Sequence, residues 1–163
     1  MKKVIVIGCP GSGKSTFARA LHEKTGLPLV YLDRLYWNAD RTTVDKATFR
    51  ARLLAAMERD AYIIDGNYGS TMELRMKACD TVFFLDYDTE TCLSGIRARR
   101  GKERPDMPWI EYGEDAEFVA FVRDFATESR PKVLALLETY AEKQIYVFRT
   151  RAEADAFLET LEI

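Results

Sequence analysis

Eight residues from Gly8 to Ser15, reading Gly-Cys-Pro-Gly-Ser-Gly-Lys-Ser, fit the pattern G-x-x-x-x-G-K-[ST] at every fixed position. The chemistry such a run can do is the holding of a polyphosphate. Glycines at 8, 11 and 13 let the backbone fold into a nest whose N–H groups point inward at phosphate oxygens. A helix beginning near Lys14 adds its positive dipole end to the same place. Lys14 then reaches toward the β- and γ-phosphates, and the Ser15 hydroxyl is the expected ligand of Mg²⁺. The expected contact set for ATP is Gly8, Pro10, Gly11, Ser12, Gly13, Lys14, Ser15 and Thr16. Cys9 is read as a small filler within the loop, not as a nucleophile.

The loop needs a strand before it and a helix after it. Val4-Ile5-Val6-Ile7 supplies the apolar run, and Phe17-Ala18-Arg19-Ala20-Leu21 reads as the helix. Further along, residues 29–32, 62–65, 82–86 and 145–148 read as strands. The helical patterns run over 14–25, from Asp45 as N-cap with Phe49, Leu53, Leu54 and Met57 on one face, and over 89–100. Two more helices follow the polar stretch holding Pro105, Pro108 and Gly113, with Pro131 in the first turn of the second. A helix closes the chain. Short apolar strands separated by helices predict an α/β fold, a parallel sheet covered on both faces. Ligands of such sheets gather at the carboxyl ends of the strands.

The candidates for chemistry stand at or near those ends. Asp65 closes strand three and takes the Walker B position, where it would hold Mg²⁺ directly or through water; Asp65-Gly66 is also a turn sequence in its own right. Asp33 closes strand two and could accept the proton of an attacking hydroxyl or hold the acceptor by hydrogen bonds. Arg34, Tyr36, Trp37 and Asn67 join Asp33 and Asp65 as candidate acceptor contacts. The two aromatics either stack on a base or sugar or simply pack under a lid. Arg75 either clamps an acceptor phosphate in bidentate fashion or sits exposed on its helix.

The densest cationic run is Arg97, Arg99, Arg100, Lys102 and Arg104. It reads as a solvated helix end, a nucleic-acid patch, or a lid closing over about residues 101–115 on transferring phosphates. At helical spacing Arg97 and Arg100 share a face while Arg99 points elsewhere. Arg97, Arg100 and Arg104 are therefore the expected lid arginines, in preference to Arg99. His22, the single histidine, has no expected catalytic part.

Length and composition bound the rest. With 163 residues, 47% hydrophobic and 31% charged, the expectation is one globular domain over 1–163 with a core of its own. The formal net charge of −2 does not favour nucleic acid as a partner. No apolar run approaches the roughly 20 residues of a membrane span, and the first residues lead straight into a strand without a targeting pattern. Three unpaired-looking cysteines suit a reducing cytoplasm.

The phosphate loop, Asp65-Gly66 and the Arg97–Arg100 helix together resemble the adenylate-kinase-like branch of P-loop kinases. The runs Tyr31–Trp37, Ile64–Tyr68, Arg104–Met107 and Ser129–Lys132 narrow this, over nearly the whole chain, to the family known as topology modulation proteins. The resemblance implies a nucleoside monophosphate kinase type of fold, a five-stranded parallel sheet in the order 2-3-1-4-5 with a short lid. It further implies ATP with Mg²⁺, Arg97 and Arg100 serving ATP from the helix before the lid, and a loose match of Arg75 to an acceptor-phosphate arginine. Two departures fall on the acceptor side: Asp65-Gly66-Asn67-Tyr68 stands where adenylate kinases carry Asp-Gly-Phe-Pro-Arg, and Asp33-Arg34-Leu35-Tyr36 replaces Thr-Gly-Asp. The expectation is thus an ATP-dependent phosphotransferase with a small-molecule acceptor, a nucleotide or nucleoside among the candidates. The alternatives are an ATP-hydrolysing regulator and a nucleic-acid-associated P-loop protein.

Overall fold

The computed structural model describes residues 1–110 and 113–161. Five strands, β1 (Lys3–Gly8), β2 (Leu29–Tyr31), β3 (Tyr62–Asp65), β4 (Thr81–Leu85) and β5 (Gln144–Phe148), form one sheet. All pairings are parallel and the order is β2-β3-β1-β4-β5. This is the expected sheet. The helices are α1 (Lys14–Thr25), α2 (Leu32–Tyr36), α3 (Lys46–Met57), α4 (Gly69–Ala78), α5 (Thr89–Arg99), α6 (Asp115–Asp124), α7 (Arg130–Thr139) and α8 (Arg151–Glu159). A π-helical turn, Phe125–Ser129, joins α6 to α7. The connection from β1 leads toward β2 and that from β3 toward β4, in opposite directions across the sheet. Right-handed crossovers then put α1 and α4 on opposite faces.

The three central strands are buried along nearly their whole length, which is why their sequences read as continuous apolar runs. An aromatic cluster of Phe17, Phe83, Tyr146, Phe148 and Phe157 fills one side, with Phe17 and Phe83 at 5.0 Å between centroids and Phe83 stacked on Tyr146 at 5.1 Å. Gly26 ends α1 in the left-handed conformation, as its position suggested. Asp45 caps α3 by accepting from the Thr48 N–H. His22 is exposed, with Nδ1 2.5 Å from the Leu27 carbonyl oxygen.

Two local expectations fail for identifiable reasons. Strand two stops at Tyr31, the last residue paired with β3, and Leu32 turns inward to start α2. Asp33 is therefore in the first turn of a helix, not at a strand end. Leu54 faces outward at 40% exposure, because the buried stripe of α3 runs only through Phe49 and Leu53. The expected lid segment, 101–115, includes Glu111 and Tyr112, which lie outside the described residues. Residues 100–110 run as turns.

The loop between β1 and α1 is pinned from one side by α5. Gly11 has φ +84°, and a Cβ there would stand 1.9 Å from the Cys92 carbonyl oxygen. A Cβ at Gly95, one turn on, would stand 2.0 Å from the Gly11 carbonyl oxygen. Backbone meets backbone, so no side chain can yield. Gly95→Ala is expected to lower stability by roughly 1–3 kcal/mol, a fall of several degrees in Tm. Gly69→Ala, with open space around the added methyl, should change it by less than about 0.5 kcal/mol. Equal melting temperatures for the two variants would show that the loop and α5 are not in contact.

Candidate active site

The phosphate loop carries few internal bonds. The Ser12 N–H donates to the Cys9 carbonyl at 3.0 Å, and no side chain caps α1 at Gly13, whose φ is also +84°. The N–H groups of the first helical turn are therefore left for a ligand. Ser12 Oγ is buried without a hydrogen-bond partner among the described residues. The hydrogen-bonded Cys92 thiol and burial both push the Cys9 thiol upward, which keeps it protonated and unreactive, a filler as expected.

Asp65 and Ser15 meet beneath the loop. Ser15 Oγ donates to Asp65 Oδ2 at 2.5 Å, and Asp65 Oδ1 is buried without a partner among the described residues. Burial raises the Asp65 carboxyl to about 6, against the pull of Lys14 and Ser15. No group of three His, Cys, Asp or Glu side chains among the described residues is placed to hold a metal. The protein offers a hard cation one carboxylate and one hydroxyl, leaving phosphate and water to complete the shell. That donor set fits Mg²⁺.

Two clefts open on either side of this point. The first, about 310 Å³, runs along Gly11, Gly13, Ser15 and Thr16 and is lined by Arg19, Arg99, Lys102, Arg104 and Arg151, with Glu103 and Asp106 the only acidic residues among those described. Five cations against two carboxylates suit a polyphosphate. The second, about 500 Å³, is reached past Pro10 and Lys14 and is lined by Asp33, Tyr36, Trp37, Gly66, Asn67 and Tyr68, by Arg99, Arg104, Asp106, Met107 and Trp109, and by Phe121, Asp124, Phe125 and Ser129. Arg99, Arg104 and Asp106 line both clefts. Arg104 and Asp106 are paired at 3.8 Å and largely buried.

Several expected roles move. Arg97 and Arg100 line neither cleft: both pair with Asp115 on α6, at 2.7 and 3.3 Å, and Arg100 also lies over Phe118. Arg99, set aside on helical spacing, lines both clefts, as does the expected Arg104. The spacing was right about which arginines share a face and wrong about which face is inward. Arg75 is neither exposed nor an acceptor clamp. It is fully buried and donates to the carbonyls of Gly66 (3.0 Å), Asn67 and Tyr68 (3.2 Å) and to Thr71 Oγ1 (3.3 Å). Burial pulls its pKa down to about 10, so it stays a cation at neutral pH.

Asn67 borders the second cleft, yet its amide is used on the phosphate loop. It accepts from the Gly8 N–H at 3.1 Å and donates to the Gly8 carbonyl at 2.7 Å. Arg34 is likewise turned to a structural task. It donates to the Pro105 carbonyl and, at 3.4 Å, to that of Met107, holding this segment against α2. Tyr36 and Trp37 both line the cleft and pack on one another at 5.7 Å, Tyr36 also against Phe49 and Tyr68. Asp33 accepts from the Tyr68 hydroxyl at 2.5 Å. Tyr68 itself sits at φ +39°, a conformation unusual for a tyrosine, and Arg75 holds its carbonyl.

Other residues at the clefts were missed. Arg19 follows Ser15 by four, one helical turn, and that spacing could have found it. Arg151 follows β5 at its carboxyl end, where ligands of parallel sheets gather. Trp109 and Phe121 gave no sequence signal. Arg130, in the Ser129–Lys132 run, makes a bidentate pair with Asp86 at 2.8 and 2.9 Å, tying α7 to the end of β4.

No family model matches this chain, and no curated protein does. Among solved structures it is similar to a shikimate kinase from Bacteroides thetaiotaomicron, with a TM-score of 0.58 and 21% identity over 97% of this chain and 94% of that one. It is similar also to a shikimate kinase from Acinetobacter baumannii in complex with shikimate (TM-score 0.60, 19% identity, 98% and 92%). A third is a deoxyadenosine kinase from M. mycoides with bound dATP (TM-score 0.56, 15% identity, 99% of each chain). The chain has the P-loop kinase fold. At these identities the likeness reaches the fold and stops there. Among the described residues no helix is long and apolar enough to cross a membrane.

The buried Asp65 gives a test with a definite sign. Its carboxyl keeps its proton to about pH 6 in the folded chain, against 3.8 for the ordinary group. The folded state thus binds more protons between those values, and stability falls as pH rises through them. The shift corresponds to a cost on the order of 3 kcal/mol at neutral pH. Without nucleotide or Mg²⁺, Asp65→Asn is expected to melt above the parent protein at pH 7, and the two should converge below about pH 4. A variant that melts lower at pH 7 would mean that the contacts of the carboxylate outweigh its burial.

Proposed function

We propose that this chain is an ATP-dependent phosphotransferase that moves the γ-phosphoryl group to a hydroxyl of a small molecule. The observation that carries the reading is the junction of two unlike clefts. A cationic cleft on the phosphate loop and an aromatic, carboxylate-bearing cleft share Arg99, Arg104 and Asp106. Donor and acceptor placed in them would face each other across those side chains. The kinases of like fold, one named with shikimate and one with dATP, lend the reading support at the level of fold. The grouping with the topology modulation proteins belongs to this proposal too, on the strength of its motifs.

In this reading the loop amides and Lys14 hold the β- and γ-phosphates, with Arg19 and Arg151 lining the same side. Ser15 and Asp65 hold Mg²⁺, which when bound neutralises charge building on the phosphates. Arg99 stands where charge develops on the transferred group. Asp33, fixed by Tyr68, orients the acceptor hydroxyl and takes its proton. The segment at 101–115 serves as the lid, its described part anchored where Arg34 holds the Pro105 and Met107 carbonyls. Such transfer asks mainly for positioning and electrostatics. A nucleic-acid surface at Arg97–Arg104 has no comparable support, since Arg97, Arg100 and Arg104 all have carboxylate partners.

Lys14→Ala is expected to lower turnover of ATP by about 10²–10³ with an unchanged melting temperature. Asp33→Asn should remove acceptor-dependent turnover and leave the KM for ATP where it was. Full activity in the Lys14 variant ends the case for phosphoryl transfer, and loss of ATP binding in the Asp33 variant would exchange the two clefts.

The arginines give an independent check. Arg99→Ala is expected to cost about 10²–10³ in kcat. Arg97→Ala removes an exposed, solvent-screened ion pair and should leave kcat within about threefold. The reverse order would restore the arginine assignment drawn from helical spacing.

A further inference from the structure

The second cleft, taken as the acceptor site of the phosphotransfer reading above, has a chemistry that selects among acceptors. Six aromatic rings line it: Tyr36, Trp37, Tyr68, Trp109, Phe121 and Phe125. Trp37 and Trp109 meet edge to face at 5.6 Å. The Arg41 guanidinium lies 4.8 Å from the Trp109 centroid and donates to the Ile110 carbonyl at 3.2 Å, which fixes that ring. Phe121 is 58% exposed although it borders the cleft, an uncovered apolar face of the kind a ligand ring would cover. Trp109 Nε1 is buried without a hydrogen-bond partner among the described residues.

The charges point the same way. The cleft is lined by Lys14, Arg99 and Arg104 against Asp33, Asp106 and Asp124. Lys14 belongs to the phosphate loop, Arg99 borders the polyphosphate side as well, and Arg104 is paired with Asp106. Apart from Lys14, the charged residues that line this cleft and not the other, among the described residues, are Asp33 and Asp124. The two other guanidiniums that sequence placed here hold backbone carbonyls, Arg34 those of Pro105 and Met107, Arg75 those of Gly66 to Tyr68. A phosphate or carboxylate on the acceptor would meet carboxylates where it needs a cation.

We infer that the acceptor is an uncharged hydroxyl compound carrying a flat ring, of the nucleoside kind, and not a nucleoside monophosphate or a carboxylate-bearing acceptor. Its ring stacks among Trp37, Trp109 and Phe121, and a hydroxyl reaches Asp33. A lone pair of that hydroxyl oxygen forms the new bond to the γ-phosphorus. The bond from the γ-phosphorus to the β,γ-bridging oxygen breaks with its electron pair to ADP, and the hydroxyl proton passes to Asp33. The products are ADP and a nucleoside monophosphate. A volume of about 500 Å³ lies within the ordinary range of small-molecule sites.

The chain has two tryptophans, Trp37 and Trp109, and both line this cleft, so intrinsic fluorescence reports on it directly. The experiment titrates the whole chain, its donor site saturated with Mg·ADP, with ribo- and deoxyribonucleosides, their 5′-monophosphates, shikimate, glucose and choline. Transfer of label from γ-labelled ATP to the same compounds is measured in parallel. At least one nucleoside is expected to change the fluorescence and accept label, with its 5′-monophosphate weaker by at least about tenfold in both. Asp124→Asn, at an exposed position, should narrow that preference and leave the KM for ATP unchanged. Binding by a monophosphate or by shikimate as tight as by any nucleoside overturns the inference, as does a response to glucose or choline alone, or to none of the probes. A nucleoside that binds but takes no label leaves the occupant as inferred and removes the phosphotransfer reading instead.

Discussion

The contact on which the site depends is the approach of two glycines. Gly11 in the phosphate loop and Gly95 on α5 bring backbones so close that a single methyl on either would collide with a carbonyl oxygen. This fixes the rotation of α5 about its own axis. Arg99 follows Gly95 by four residues and so lies on the same face, one turn on, where it looks over the loop. Arg97 and Arg100 are carried to the far side and meet Asp115. The position of the cation at the cleft is thus decided by a residue with no side chain. Since α5 leads directly into residues 100–110, the same contact also sets where Arg104, Asp106 and Trp109 begin their course over the site.

A second fixed point lies on the opposite wall. Residues 66–68 leave β3 in an open conformation, with Gly66 at φ +145° and Tyr68 at φ +39°. Their three carbonyls point inward and would cost free energy if left unpaired. The buried Arg75 guanidinium takes all three. This lets Asn67 reach back to both polar groups of Gly8 and lets Tyr68 reach Asp33. Asp65 is also close enough to favour the charged form of this buried cation. One arginine inside the helix layer therefore supports both the turn that braces Gly8 and the tyrosine that holds Asp33.

What was legible in the sequence follows from the range of the forces involved. The phosphate loop, the strands and most helix bounds depend on neighbours a few residues away, and Gly8–Ser15, Asp45 and Gly26 could be read directly. Asp65 was legible because the loop implied a carboxylate at the next strand end. The arginines were not. An arginine on a helix reads the same whether it serves a ligand, a backbone carbonyl or an aspartate, and only tertiary packing separates Arg99 from Arg97 or Arg75 from an exposed residue. Arg34 and Asn67 show the same limit: both were expected at the acceptor, but only Asn67 borders the second cleft, and the polar atoms of both are turned to Pro105, Met107 and Gly8.

The two clefts differ in legibility for the same reason. The floor of the phosphate side is one loop and α1, where sequence distance and spatial distance nearly coincide, and only its rim of α5, the segment after it and Arg151 comes from afar. The other side is assembled from α2, the turn after β3, the segment after α5, and α6 with the π-helical turn that follows it. No short window of sequence contains two of its walls. The inserted residue of that π-helical turn changes the helical phase between α6 and α7, so periodicity in α6 cannot be carried onward to show that Phe125 and Ser129 both face the cleft. A P-loop fold keeps the donor chemistry local and builds the acceptor chemistry from distant pieces. Two chains with the same loop can therefore share a fold and differ wholly in what they phosphorylate.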